Sequence, residues 1–173
     1  MKRRFEQLVD EHGGRLLQLA QLILRSGAEA EDIVQDCLVK LWHHLPELEV
    51  GAELGWLMTC TRNACLDRRR REQHRSGVLR RLHAVANDLP PTTDEAPEQV
   101  FSRDQHAHHL LSAIAELPEP GRSLLILRDI QDTDVATVAE MLGLTNNQVK
   151  VYTFRARRRL RQMLEENANV HVA

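Results

Sequence analysis

The chain has 173 residues, of which 42% are hydrophobic and only 3% aromatic, and its formal net charge is −2 at pH 7. That length suits one ordinary domain or two small ones. A core so poor in aromatics has to be aliphatic and alanine-rich, as in helix bundles. The near-neutral balance excludes a generic polycationic nucleic-acid coat. The charge is segregated, however: Arg68 to Arg71 form one basic block, Arg155, Arg157, Arg158, Arg159 and Arg161 form another, and most acids fall in the first third and the middle. Separate basic and acidic surfaces point to two kinds of partner, DNA and protein.

No apolar run approaches the roughly 20 residues of a membrane-spanning helix, and no secretory signal opens the sequence. A cytoplasmic protein without direct membrane insertion is therefore expected. Cys37, Cys60 and Cys65 are odd in number and include no C-x-x-C pair, the pattern of reduced core thiols. A redox or metal switch that adds His83, His106, His108 and His109 to these thiols stays open, although the spacing matches no zinc site. A Gly-rich phosphate loop, H-E-x-x-H and G-x-S-x-G are all absent. No catalytic residue, cofactor or metal is expected, and the chain is not expected to be an enzyme.

In chain order, Phe5, Leu8, Val9, Leu16, Leu17, Leu19, Ala20, Ile23 and Leu24 make one or two amphipathic helices, with Gly13-Gly14 as the point of a break or bend. Ser26-x-x-Glu29 has the form of a capping box and predicts a new helix that stops before Pro46. Ile33, Val34, Cys37, Leu41 and Leu45 should face a core, leaving Asp32, Gln35, Asp36 and Lys40 outward. A short loop, residues 46–55, precedes a third helix that starts near Leu54 or Trp56. Trp56, Leu57, Cys60, Ala64 and Asp67 should line one side of it, with Arg62, Asn63 and the arginine block on polar faces. From Ser76 the pattern weakens.

Residues 87–97, NDLPPTTDEAP, carry three prolines and several turn formers. This is the best linker in the chain. Thr93 or Asp94 should cap the next helix, which carries Val100, Leu110, Leu111, Ile114 and Leu117. Pro118 and Pro120 close it, and GRSLLILRDI opens another. Asp134 can then cap a short helix, Val135 to Leu142, stopped by Gly143. Thr145 or Asn146 caps a longer helix with Val149 and Leu160 inward and the arginines outward. Two helices around a glycine-containing turn make a helix-turn-helix, whose second helix would enter the DNA major groove. The expected fold is all-α: two small helical domains, 1–86 and 98–168, joined by a flexible linker at 87–97.

The segments AEDIVQDCLVKLW and WLMTCTRNACLDRRRR, followed after the linker by LPEPGRSLLILRDI and VAEMLGLTNNQVKVYTFRARRRL, resemble the extracytoplasmic-function (ECF) sigma factors, group 4 of the bacterial sigma-70 family. Order, spacing and length all match. The resemblance implies that the first domain is region 2, which binds the clamp helices of the polymerase largest subunit and the promoter minus-10 element. By position, Asp32, Gln35, Asp36, Leu38 and Trp42 would then contact polymerase. The 46–55 loop would capture a flipped base, and Arg62, Asn63, Arg68, Arg70 and Arg71 would hold the minus-10 DNA. The sequence departs from the family at Met58 and Thr59, where an aromatic and a basic residue are common. Weak melting power is the expectation that follows.

The second domain would be region 4, with Gln148, Lys150, Val151, Phe154, Arg155 and Arg158 at the minus-35 element, and with surface left for the polymerase flap. Arg155 is the candidate for a bidentate contact to guanine. Residues 151–153 depart from the family's usual run. The resemblance further implies an anti-sigma factor, which would leave the protein cytoplasmic or held at the inner membrane. Three other readings remain: a polymerase-independent helix-turn-helix regulator, a metal or thiol sensor, and a small enzyme.

Overall fold

The computed structural model describes residues 1–24, 26–85 and 102–170, and within these it is helical with no strand. α1 (Lys2–Leu24) is one uninterrupted helix. Gly13 and Gly14 do not break it, although each costs about 1 kcal/mol of helix propensity. Burial of Leu16, Leu19, Ala20 and Ile23 outweighs that cost. α2 (Gly27–His44) begins at the expected cap, where Ser26 Oγ accepts a hydrogen bond from the Glu29 N–H at 3.4 Å. The reciprocal half of the box is not made, because the Glu29 carboxylate accepts from Arg68 instead.

α3 (Glu53–Val85) is longer than the hydrophobic pattern foretells, since it runs on past Ser76. Its register also corrects the sequence reading. Leu57, Met58, Thr61 and Cys65 are buried, whereas Trp56, Cys60 and Ala64 are half-buried and Asp67 is exposed. The inward line is thus rotated by one residue from the expected one. Small and polar residues misled the reading, because Thr61 sits where an apolar residue would have marked the face.

The linker at 87–97 lies outside the described residues, as do Thr93, Asp94 and Val100. The side chains of His83, His106 and His108 are likewise outside them. α4 (Ser102–Glu116) buries Ala113, Ile114 and Ala115, with Leu117 just beyond its end. Leu110 and Leu111, grouped with that inward line in the sequence reading, are 39% and 37% exposed.

GRSLLILRDI is one continuous helix that widens midway: α5 (Gly121–Leu125) passes into a π-helical turn, Ile126–Ile130. The Gln131 N–H closes this turn on the Ile126 carbonyl at 3.0 Å. Gly121 lies where α5 packs against α7, and a Cβ there would lie 3.3 Å from Ala156 Cβ.

α6 (Val135–Leu142) and α7 (Asn146–Val170) form the helix-turn-helix. Asp134 Oδ1 accepts from the Thr137 N–H at 2.9 Å, and Gly143 stops α6 at φ 63°. That left-handed conformation is cheap only for glycine. The N-terminal unit (α1–α3) and the C-terminal unit (α4–α7) do not stand apart. α1 and α3 pack against α4, α6 and the π turn, and the buried apolar residues of both units form one continuous cluster.

Candidate protein and nucleic-acid interfaces

The first candidate surface is the outward side of α2. Asp32, Gln35, Asp36 and Lys40 are all exposed, at helical spacing, as expected from the sequence. Val39 stands among them with 59% of its surface exposed. The sequence reading missed it, although an apolar residue three positions after Asp36 on a polar stripe was a visible signal. Leu38 and Trp42 are half-buried on the flank, and Trp42 meets Phe5 of α1 edge-on with ring centroids 5.1 Å apart. The result is an acidic helix face with an apolar centre and an anchored aromatic edge, a composition suited to a few strong contacts.

The second surface is the loop between α2 and α3. Its base is tied down and its tip is open. Glu53 is buried, with Oε1 accepting from Arg4 Nε at 3.1 Å and Oε2 accepting from the Gly51 N–H. Arg4 also donates to the Leu48 carbonyl at 3.3 Å. Burial pushes the Glu53 carboxyl upward, but the Arg4 and backbone hydrogen bonds more than offset this and hold it below its usual range. Gly51 has φ 97°, which permits the tight turn. Val50, at the tip, is 87% exposed.

Met58, where the family commonly has an aromatic, is only 1% exposed and belongs to the core. The Thr59 hydroxyl donates to the Gly55 carbonyl at 2.8 Å.

Along α3 the basic residues divide by helical position. Arg62 and Arg69, seven apart, share the stripe that faces the C-terminal unit. Arg62 Nε donates to Ser123 Oγ at 2.7 Å, and its Nη2 lies 3.3 Å from Glu119 Oε2. Arg69 donates to the Ile23 and Ala115 carbonyls at 3.4 and 3.5 Å. Arg68 is held by Glu29 through two hydrogen bonds, at 2.9 and 2.7 Å. Asn63, Arg70 and Arg71 are exposed; Asn63 Oδ1 accepts from Arg62 Nη1, and Arg70 makes an exposed pair with Asp67 at 3.3 Å. The structure therefore brings Asn63, Arg70 and Arg71 to open surface and turns Arg62 and Arg68 toward intramolecular partners.

Across the α2–α3 contact the Cys37 and Cys60 thiols influence each other's ionisation. This raises the buried Cys37 and, with Lys40 and His44 adding to it, lowers Cys60 to about 6. Burial pushes Cys65 up to about 12.

The third surface is the start of α7. A full capping box closes it: Thr145 Oγ1 accepts from the Gln148 N–H at 3.2 Å, and Gln148 Oε1 accepts from the Thr145 N–H at 2.8 Å. Gln148 was expected at the DNA, yet its side-chain oxygen serves the helix cap. The T-x-x-Q spacing was the overlooked signal. Lys150, Val151, Phe154, Arg155 and Arg158 are exposed, with Phe154 at 68%. Val149, Thr153 and Ala156 are buried behind them. Arg157 is committed to Asp129 through two hydrogen bonds, at 2.9 and 2.6 Å. Arg155 and Arg158 have no hydrogen-bonding or ionic partner among the described residues.

An exposed basic helix behind a capped helix-turn-helix, beside an acidic helix on a separate unit, is matched by two family models. Sigma-70 region 2 matches residues 8–75, and Sigma-70, region 4 matches residues 108–160. The ECF RNA polymerase sigma factor SigM of Mycobacterium tuberculosis is 31% identical over 162 residues, covering 92% of this chain and 76% of SigM. The chain belongs to the ECF sigma-factor family.

The ECF RNA polymerase sigma factor SigE of Mycolicibacterium smegmatis is 27% identical over 95% of this chain, which spans 63% of SigE. The fold is shared with the sigma factor RpoE of Bartonella quintana, solved in complex with the anti-sigma factor NepR (TM-score 0.71, 24% identity, 94% of this chain and 98% of that one). It is shared also with CnrH, solved in complex with the cytosolic domain of CnrY (TM-score 0.67, 23% identity, 96% and 90%). In the terms of this family, α1–α3 carry region 2 and α4–α7 carry region 4. No helix among the described residues is long and apolar enough to cross a membrane.

Proposed function

We propose that this sigma factor binds core RNA polymerase through the α2 face and directs it to promoters, reading the minus-10 element with region 2 and the minus-35 element with α7. The observation that carries this reading is the start of α7, where Lys150, Val151, Phe154 and Arg155 stand exposed on a helix whose cap and packing are already complete. Arg155 would pair with guanine and Arg158 with phosphate. Asp32, Gln35, Asp36, Leu38 and Trp42, joined by Val39, would meet the clamp helices. The 46–55 loop would take up the flipped base, with Arg70 and Arg71 on the backbone and Asn63 near the melted strand.

On this reading the chain supplies no catalytic group, acts in the cytoplasm where polymerase works, and lends the enzyme an address. Tethering through polymerase raises the effective concentration of the second DNA contact once the first is made. The anti-sigma complex of the related RpoE supports an anti-sigma partner here as well.

Run-off transcription with purified core polymerase on a promoter library tests the proposal. The wild type should select a defined promoter class. Asp36→Arg, which puts a positive charge at the centre of the acidic stripe, should weaken polymerase binding by at least about tenfold, as loss of a hot-spot contact does. A chain that binds a palindromic site tightly without polymerase, and never joins core, would instead be a dimeric regulator.

A further inference from the structure

Gln148 lies three residues before Val151 and seven before Arg155, so all three share one exposed stripe of α7. Its amide is not free to turn. Oε1 accepts from the Thr145 N–H at 2.8 Å and from the Thr145 hydroxyl at 3.1 Å. An amide oxygen has two lone pairs, and both are taken. A backbone N–H can only donate, so the end of the amide that faces the cap has to be the oxygen. The Nε2 amino group is left with no hydrogen-bonding partner among the described residues, on an exposed side chain.

A glutamine in the major groove ordinarily reads adenine, because its oxygen accepts from N6 while its nitrogen donates to N7. The capped Gln148 cannot make that pair. To do so it would have to give up both bonds to Thr145, and the start of α7 would lose half of its capping box. As it stands, Gln148 offers two N–H donors and no acceptor, which makes it a donor-only group like Arg155 on the same stripe. The base edge that fits is that of guanine, where O6 and N7 are both acceptors. Adenine would set its N6 donor against one of the N–H groups, and cytosine presents only the N4 donor.

We infer that Gln148 is a specificity-determining residue of this sigma factor, and that Thr145, by holding its oxygen, sets it to read guanine in the minus-35 element instead of adenine. The inference rests on the reading of α7 proposed above. It gives Gln148 both roles at once: the oxygen closes the helix, and the nitrogen reads the base. Gln148 and Arg155 are two turns apart, about 10.5 Å along the helix, which is about three base steps at ~3.4 Å each. Their two guanines should therefore fall within about three base pairs of each other.

Promoter-library transcription with the holoenzyme tests this. Wild type should select guanine at a minus-35 position close to the one that Arg155→Ala relaxes. Gln148→Glu keeps the capping box, since glutamate serves there equally, but it replaces the donors with an acceptor. It should cut the guanine preference at that position by at least about fivefold and favour cytosine, with the melting temperature unchanged. Gln148→Met, with neither donor nor acceptor on an amide, should lose the guanine preference and gain no other. Thr145→Pro removes both donors that hold Oε1, and should admit adenine at the same position. If it fails to fold, the two Gln148 variants decide. Guanine selection that survives Gln148→Glu would overturn the inference. So would a wild type that selects adenine there, a folded Thr145→Pro that still rejects adenine, or a loss in Gln148→Met spread evenly over all promoters, which marks a phosphate contact. A wild-type holoenzyme with no selection anywhere in the minus-35 element would instead sink the proposed function, and this inference with it.

Discussion

Two arginine-rich helices of similar composition have opposite fates in this molecule. On α3, Arg62, Arg68 and Arg69 each bond to another helix or to the segment that links α4 and α5, through Ser123 and Glu119, Glu29, and the carbonyls of Ile23 and Ala115. On α7, Arg157 alone is shown in such a bond, to Asp129, while Arg155 and Arg158 point outward with no hydrogen-bonding or ionic partner among the described residues. Charge density does not separate a structural arginine from a nucleic-acid ligand. The decisive variable is which neighbours its helix packs against. α3 is sandwiched between α1, α2 and the C-terminal unit, whereas α7 packs on α4, α5 and α6 and leaves its outer side bare.

Substitutions on the two helices should therefore fail in different assays. The largest effect is expected for Arg155→Ala. Loss of a bidentate base contact should remove roughly 1–3 kcal/mol of discrimination at one minus-35 position, with the melting temperature nearly unchanged. A promoter-library readout gives the position. If selection stays intact at every position, the groove-facing register of α7 is not the one described.

Much of this contrast could be read in the sequence, and the part that could not has a physical cause. Asp134, Gly143 and the α6 span were legible because caps and a left-handed stop are local chemistry, decided within four residues. The outward stripe of α2 was legible because Asp32, Gln35, Asp36 and Lys40 follow one helical period. The face of α3 was not, because Thr61 occupies a core position and Cys60 and Ala64 gave a false line. The roles of Arg62 and Arg68 were hidden for another reason: their partners Glu119, Ser123 and Glu29 are 57, 61 and 39 residues away in the chain. The second role of Gln148, in the helix cap, was legible as well, since its T-x-x-Q box is as local as the cap of Asp134.

Arg4 belongs with the committed arginines, and its partner allows a pH test. Glu53→Gln should cost about 2 kcal/mol at neutral pH, because the Arg4 bonds lose their charge assistance and the loop base loses an acceptor for Gly51; Arg4 is one-third exposed, which moderates the loss. Glu53 has a folded pKa below its unfolded value of about 4.3. Its stabilisation is thus fully present above that unfolded value and disappears as pH falls through the folded one. Wild type should lose melting temperature more steeply than Glu53→Gln as pH drops below about 4. Parallel curves would mean that the carboxylate is not what pins the loop.

The smallest effects sharpen the contrast most directly. Arg69→Ala should lower stability by about 1 kcal/mol, since it strips hydrogen bonds from carbonyls at the ends of α1 and α4. Arg158→Ala, on an exposed site with no hydrogen-bonding or ionic partner among the described residues, should stay within about 0.5 kcal/mol of wild type. In DNA binding by the holoenzyme the ranking should reverse. Arg158→Ala should flatten the slope of log affinity against log salt by about 0.9, the value for one lost phosphate contact. Arg69→Ala should leave that slope unchanged, because a guanidinium bonded to helix-end carbonyls releases no counterion from DNA. A salt slope that shifts for Arg69→Ala and not for Arg158→Ala would mean that the two arginine faces have been assigned the wrong way round.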